Sequence, residues 1–191
     1  FGALADELES MGAVLHLGDA YLDGLDQDVI FRSPGIRPDI PPFLSAMEKG
    51  SALTSEMEVF FQVCPCKIIA VTGSDGKTTT TTLIAEMLKN AGYTVHLGGN
   101  IGKPLLSEAG SISPDDIAVL ELSSFQLMTL SASPDIAVFT NLSPNHLDIH
   151  KSMEEYALAK ENIFSHQGEN DLAIFNRDND LTHAMVCRAP G

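Results

Sequence analysis

The residues most able to do chemistry stand in one run, Val71-Thr72-Gly73-Ser74-Asp75-Gly76-Lys77-Thr78-Thr79, between an apolar segment and a helical pattern. Glycines there let successive backbone N–H groups turn toward phosphate oxygens, and the start of a helix adds partial positive charge. Lys77 is placed to pair with the β- and γ-phosphates, and the Thr78 hydroxyl to ligate Mg²⁺. Gly73, Ser74, Asp75, Gly76, Lys77, Thr78 and Thr79 are therefore expected to hold a nucleoside triphosphate. The loop is the short T-G-x-x-G-K-T form, because Val71 stands where the commoner phosphate loop has glycine. The plainer reading is a glycine-rich turn with an exposed lysine.

Two further groups could complete a phosphoryl-transfer site. Glu121 closes the apolar run Ile117 to Leu120, at the strand end where open α/β sheets collect their ligands, and its carboxylate is a hard oxygen donor suited to Mg²⁺. Lys160 lies on a helix opened by the S-x-x-E pattern of Ser152 and Glu155. Met153, Tyr156, Ala157, Lys160, Ile163 and Phe164 share one face of it at three- and four-residue spacings, so a lysine occupies an apolar position. Such an amine either snorkels to water or loses its charge on burial. A neutral amine can take up CO₂ as a carbamate, an anionic oxygen ligand for Mg²⁺. His146 follows another strand end, but imidazole is a less usual Mg²⁺ ligand, and spacing alone favours a hydrogen-bonding loop histidine.

Positioning these groups requires an alternation of strands and helices, which the chain has. Short β-branched runs occur at Val14 to Leu17, Asp28 to Phe31, Lys67 to Val71, Thr94 to Leu97, Ile117 to Leu120, Ile136 to Phe139 and Leu172 to Phe175. Helical patterns fall at Ala3 to Met11, Pro42 to Lys49, Thr54 to Val63, Thr78 to Ala91, Ser152 to Phe164 and Thr182 to Val186. The fold class is α/β with a mostly parallel sheet and flanking helices. A break near Cys64-Pro65-Cys66 divides residues 1–64, an incomplete Rossmann-like unit, from residues 65–191, a truncated P-loop-type central domain. Rossmann-like units open with a strand and a glycine-rich turn, whereas this chain opens in a helix.

Composition narrows the function. The 191 residues are 44% apolar and carry a net charge of −15, a field that repels a phosphate backbone, so nucleic-acid binding is not expected. No apolar run reaches the roughly 20 residues that span a bilayer, and the start of the chain is acidic, unlike a signal peptide. Three cysteines form no even framework, and Cys64-Pro65-Cys66 is too tight for a relaxed disulfide or a usual zinc knuckle, so reduced thiols in a cytoplasmic protein are expected.

The short phosphate loop resembles that of the Mur ligase family, ATP-dependent amide ligases of peptidoglycan precursor synthesis, and of the related folylpolyglutamate synthases. The order Gly98-Gly99-Asn100-Ile101-Gly102, Leu120-Glu121-Leu122-Ser123-Ser124-Phe125-Gln126-Leu127, Thr140-Asn141-Leu142-Ser143-Pro144-Asn145-His146-Leu147-Asp148 and Tyr156-Ala157-Leu158-Ala159-Lys160 is similar to that family's central domain. The E-L-S-S-F-Q-L segment and Ser33-Pro34-Gly35-Ile36 resemble its D-glutamate-adding branch. The resemblance implies a bacterial, cytoplasmic, monomeric enzyme joining D-glutamate to UDP-N-acetylmuramoyl-L-alanine through an acyl phosphate, with ATP and two Mg²⁺ ions. It implies Lys77, His146 and Lys160 as catalytic residues, and Thr78, Glu121, His146 and carbamylated Lys160 around metal. Ser33, Pro34, Gly35, Asn100, Ser123 and Gln126 become candidate substrate contacts. Asp148 is expected behind the metal ligands and His150 at the surface. Another family ligase, or a catalytically silent nucleotide-binding piece, is the alternative.

Overall fold

The computed structural model describes residues 2–144 and 150–190. They divide into two compact units, one of Phe1–Ile30 with Arg37–Leu53, the other of Phe31–Ile36 with Thr54–Gly191.

The first unit holds α1 (Gly2–Ser10), nearly all of β1 (Val29–Phe31), α2 (Pro41–Glu48) and most of β2 (Ala52–Thr54). β1 and β2 form a two-stranded sheet. Prolines at the first two positions of α2 cost no hydrogen bond, because those N–H groups have no intrahelical partner, and the helix buries Phe43 and Ala46. α1 buries no residue. The strand expected at Val14 to Leu17 does not form: Val14 and Leu17 are 81% and 61% exposed. No residue of that run is buried, so nothing offsets the cost of ordering it as a strand.

The second unit is built on five strands. α3 (Glu56–Val63) leads to β3 (Lys67–Thr72), then α4 (Lys77–Asn90), β4 (Val95–Gly99), a 3₁₀ turn at Leu106–Ser111, and β5 (Ile117–Glu121). The chain continues through the one-turn helix α5 (Ser124–Leu127), β6 (Ile136–Phe139), α6 (Met153–Glu161), β7 (Leu172–Phe175) and α7 (Asp180–Met185). The sheet order is β4-β5-β3-β6-β7 and every pairing is parallel. Helices cover both faces, so the central strands read as unbroken apolar runs: Ala70, Val71, Ala118, Val119 and Leu120 are fully buried. The α/β class and the parallel sheet agree with the expectation from sequence.

The division between units falls earlier than the expected break near residue 64. Met57 and Phe60 of α3 belong to the same hydrophobic core as Ile68, Leu120 and Phe139, so this helix goes with the sheet that follows it. α5 and β2 were not expected. A four-residue helix and a three-residue strand are too short to show a period.

Sheet topology fixes where the chemistry can sit. After β3 the chain passes outward to β4 and back to β5 on one side, then crosses to β6 and β7 on the other. The loops leaving the C-terminal ends of β3 and β5 diverge at this switch point and open a crevice, as in other doubly wound sheets.

Candidate active site at the switch point of the sheet

The phosphate loop leaves β3 at Thr72 and enters α4 through Gly76, its N-cap. Gly73 has φ +148°, and a Cβ there would run into Thr140 Oγ1 and the backbone of Asn141. This position therefore admits glycine alone. The loop after β6 braces the turn. Ser74 N donates to Asn141 O at 2.9 Å, Asp75 N to Asn141 Oδ1 at 2.9 Å, and Thr140 Oγ1 to Asp75 O at 2.7 Å. Lys77 Nζ lies back over the loop, donating to Gly73 O at 3.1 Å and Ser74 O at 3.0 Å. Thr79 is exposed on the first turn of α4.

Glu121 ends β5 with 2% exposure, next to β3 in the sheet. Its carboxylate is held from two sides: Thr78 Oγ1 donates to Oε2 at 2.6 Å and Asn100 Nδ2 to Oε1 at 2.8 Å. Asn100 follows Gly99, whose φ of +95° turns the chain against β5; a Cβ there would collide with Glu121 O. Hydroxyl, carboxylate and amide thus meet in one spot. Asn100, expected as a substrate contact, orients Glu121.

Lys160 does not snorkel. It is 2% exposed, with Nζ donating to Gly73 O at 2.9 Å and Thr72 Oγ1 at 3.2 Å, and lying 4.9 Å from the centre of the Tyr156 ring. No carboxylate pairs with it at ion-pair distance among the described contacts. Burial, reinforced by the Lys77 ammonium and opposed by Glu121, pushes its amine from 10.5 down to about 7. The helix cap works in part as expected: Ser152 Oγ accepts from Glu155 N at 3.1 Å, and the Glu155 carboxylate accepts from Lys151 N at 2.6 Å.

A cavity of about 150 Å³ opens over these groups, lined by Lys77, Asn100, Ser123, Ser124, Phe125, Tyr156 and Lys160. A wider pocket of about 470 Å³, lined by Met128, Glu154, Leu158 and Glu161 among others, contains no phosphate-loop residue. The chemistry is in the smaller one. Ser123 and Gln126 form a capping box that starts α5: Ser123 N and Oγ both donate to Gln126 Oε1, at 3.0 and 2.9 Å. These bonds engage Ser123 and Gln126 Oε1 with one another, while Ser123 also lines the cavity. His146 and Asp148 lie outside the described residues. His150, expected at the surface, is 1% exposed. It stacks on Phe125 at 5.3 Å, meets Tyr156 edge-on at 5.1 Å and hydrogen-bonds Ser124 Oγ at 2.9 Å, so two aromatic rings and a hydroxyl take it out of water.

Two contributors escaped the sequence reading. Tyr156 lies beneath Lys160, and its hydroxyl hydrogen-bonds Ser74 Oγ at 3.1 Å; burial raises its pKa, against the Ser74 bond that lowers it. Its signal in the sequence is the four-residue spacing to Lys160, which places both on one helical face. Arg32, 3% exposed, organises the Ser33-Pro34-Gly35-Ile36 turn. Its Nη1 donates to Ser33 O, Pro34 O and Ile36 O, and Nη2 to Phe125 O and Thr129 Oγ1 at 3.3 and 3.1 Å. Burial lowers its pKa and Glu58 raises it, yet a guanidinium stays charged at neutral pH. A single arginine after an apolar strand in so acidic a chain was the available signal.

A parallel α/β sheet with a glycine-rich loop, a lysine and a strand-end carboxylate at its switch point defines a phosphate-binding nucleotide domain. A profile of the Mur ligase middle domain matches residues 71–189. The chain belongs to the Mur ligase family. It is 56% identical over 191 residues to the UDP-N-acetylmuramoylalanine--D-glutamate ligase of Clostridium kluyveri, covering all of this chain and 42% of that protein. It is 57% identical over 187 residues to the protein of the same name from Acetivibrio thermocellus, covering 97% of this chain and 40% of that one. The chain thus spans about two fifths of the relatives it matches. Among solved structures, the UDP-N-acetylmuramate-alanine ligase of Thermotoga maritima aligns with a TM-score of 0.54 and 25% identity, over 94% of this chain and 42% of that one. A Neisseria ligase, UDP-N-acetylmuramate:L-alanyl-gamma-D-glutamyl-meso-diaminopimelate ligase, shares the fold with a TM-score of 0.59 at 18% identity, over 100% of this chain and 66% of that one.

Proposed function

We propose that the protein containing this chain is an ATP-dependent amide ligase that adds D-glutamate to UDP-N-acetylmuramoyl-L-alanine in the bacterial cytoplasm, acting as a monomer. The observation that carries this reading is the Glu121 carboxylate, gripped by Thr78 and Asn100 beside the phosphate loop, with buried Lys160 against the same loop. Residues 54–191 carry the ATP-binding part, and the unit that precedes them belongs to the part that takes the UDP moiety, with the turn of Ser33, Pro34 and Gly35 contributing to that contact.

The chemistry is a carboxylate attacking the γ-phosphate of ATP to give an acyl phosphate and ADP, followed by attack of the D-glutamate amine and loss of phosphate. Negative charge gathers at the transferring group, so catalysis needs cations and rigid positioning. The loop N–H groups and Lys77 hold the phosphates, and Gly73 keeps their backbone close. Thr78 and Glu121 offer the oxygens that fit Mg²⁺, with Asn100 fixing the carboxylate's orientation. Bound there, Mg²⁺ neutralises charge on the phosphate oxygens. His146, outside the described residues, would be a ligand of a second ion. Lys160, whose amine burial brings down to about 7, is poised to add CO₂ in its neutral form, losing a proton as it becomes a carbamate, an anionic oxygen ligand beside the loop. Tyr156 closes the space beneath it.

The test is ADP release by the full-length protein given ATP, Mg²⁺, UDP-N-acetylmuramoyl-L-alanine and each candidate amino acid in turn. D-glutamate-dependent release is expected. Release with another amino acid moves the protein elsewhere in the family, and nucleotide binding without turnover overturns the enzymatic reading.

A further inference from the structure

Cys64 and Cys66 lie outside the site just described, where α3 ends and β3 begins. Cys64 is the C-cap of α3, with φ −66° and ψ 119°, and Pro65 holds the next φ near −65°. That backbone brings both side chains to one side. Their Sγ atoms stand 3.6 Å apart, in contact and unbonded, with Cys64 half-buried and Cys66 at 8% exposure. The Cys64 thiol also reaches Cys66 O at 3.7 Å, and the Cys66 thiol reaches Lys67 O at 3.6 Å.

That separation is the contact distance of two thiols, and a bridging atom would change it little. A disulfide would draw the sulfurs in to about 2.05 Å. Two sulfurs bound to one atom through bonds of about 2.3 Å stand about 3.3–3.8 Å apart, for angles from about 90° to tetrahedral. The pair is therefore preorganised for a single bridging atom. Zinc asks for three or four protein ligands, and no group of three or more His, Cys, Asp or Glu side chains able to hold a metal occurs among the described residues. A trivalent arsenic atom bearing one organic substituent asks for two sulfurs only.

We propose that Cys64 and Cys66 form a two-thiol site for monosubstituted trivalent arsenicals. With an organoarsenic oxide, two As–S bonds form, the two S–H bonds and the As–O bond break, and the oxygen leaves with both protons as water; arsenic stays trivalent. Burial and the neighbouring Cys64 raise the Cys66 thiol to about 12, so its proton is on sulfur at neutral pH and leaves with the water. Cys187 is exposed and single, and serves as the internal comparison.

The experiment treats the full-length protein with one equivalent of phenylarsine oxide, then challenges it with about 0.1 mM 2-mercaptoethanol, well below the millimolar effective concentration of a second thiol on so short a tether. Intact mass and peptide mapping follow. The expected result is one arsenical on the peptide carrying Cys64 and Cys66, retained against the monothiol and removed by dithiothreitol. Cys64→Ser and Cys64→Ala, at a half-buried position, lose at least tenfold in retention with unchanged circular dichroism, while Cys187→Ser keeps it. Loss of the adduct to the monothiol in the unmodified protein, or its retention on that peptide in either Cys64 variant, overturns the proposal.

Discussion

Replacing Lys160 with methionine tests whether the structure holds an amine stripped of its charge. The folded amine loses its proton near pH 7, whereas an exposed lysine in the unfolded chain holds its own to about 10.5. Below pH 7 both states are protonated, and the cost of burying the ammonium is fully present. Between 7 and 10.5 the unfolded chain binds more protons, so stability rises with pH; above 10.5 the penalty is gone. At 1.36 kcal/mol per pH unit the whole gap is worth about 5 kcal/mol. Between about pH 6 and pH 9, linkage through the same two values gives about 3 kcal/mol. Lys160→Met has no such titration. Urea unfolding of full-length wild type and variant at both pH values, in CO₂-free buffer so that no carbamate forms, should show the variant's advantage shrinking by about 3 kcal/mol at the higher pH. A side-chain NMR titration of Lys160 should show its midpoint near 7, and Lys77→Met should raise it, since the Lys77 charge is among the causes that lower it. A difference between the two proteins that stays flat within about 0.5 kcal/mol across this range would refute the reasoning.

The rest of the site yields sharper losses. Glu121→Gln keeps the Thr78 and Asn100 contacts within reach but removes the anionic donor; turnover of the full-length protein should fall by about 10²-fold or more, partly recovered at raised Mg²⁺, with an unchanged thermal midpoint. Gly99→Ala sets a methyl group against Glu121 O on a backbone at φ +95°, and should cost at least about 1–3 kcal/mol in urea unfolding; an unaltered midpoint would show that β4 can move away. Arg32→Ala strips donors from five acceptors around the Ser33-Pro34-Gly35-Ile36 turn and should cost about 2–3 kcal/mol, read by the same unfolding assay, with Arg32→Lys falling between because an ammonium cannot reproduce the fork.

What the sequence made legible was whatever had a period or a tight spacing. The apolar runs of β3 and β5 were readable because both of their faces are largely buried, that of β6 because Ala137 and Phe139 are, and the phosphate loop because its glycines answer a backbone demand at Gly73. Lys160 stood out as the wrong residue type on an apolar helical face, and its burial agrees with that reading. Val14 to Leu17 misled because an apolar run forms a strand only where a core takes its side chains, and Val14 and Leu17 lie exposed. The burial of His150 and the part of Tyr156 depend on Phe125 and Ser74, which are distant in sequence, so no local pattern could announce them. Arg32 likewise acts through Phe125 O and Thr129, more than ninety residues away. Ser123 and Gln126 carried two meanings in one spacing, a cap and a binding motif, and the capping bonds are the ones formed.

The central claim is that this site activates a carboxylate by phosphorylation for amide formation with D-glutamate. The most direct measurement supplies the full-length protein with ATP, Mg²⁺, D-glutamate and UDP-N-acetylmuramoyl-L-alanine carrying heavy oxygen in its alanyl carboxylate. The account predicts that the label passes into inorganic phosphate, with ADP and the D-glutamyl product formed alongside it, and that Lys77→Ala abolishes the transfer. Label appearing in AMP, or amide formation with none in phosphate, would contradict it.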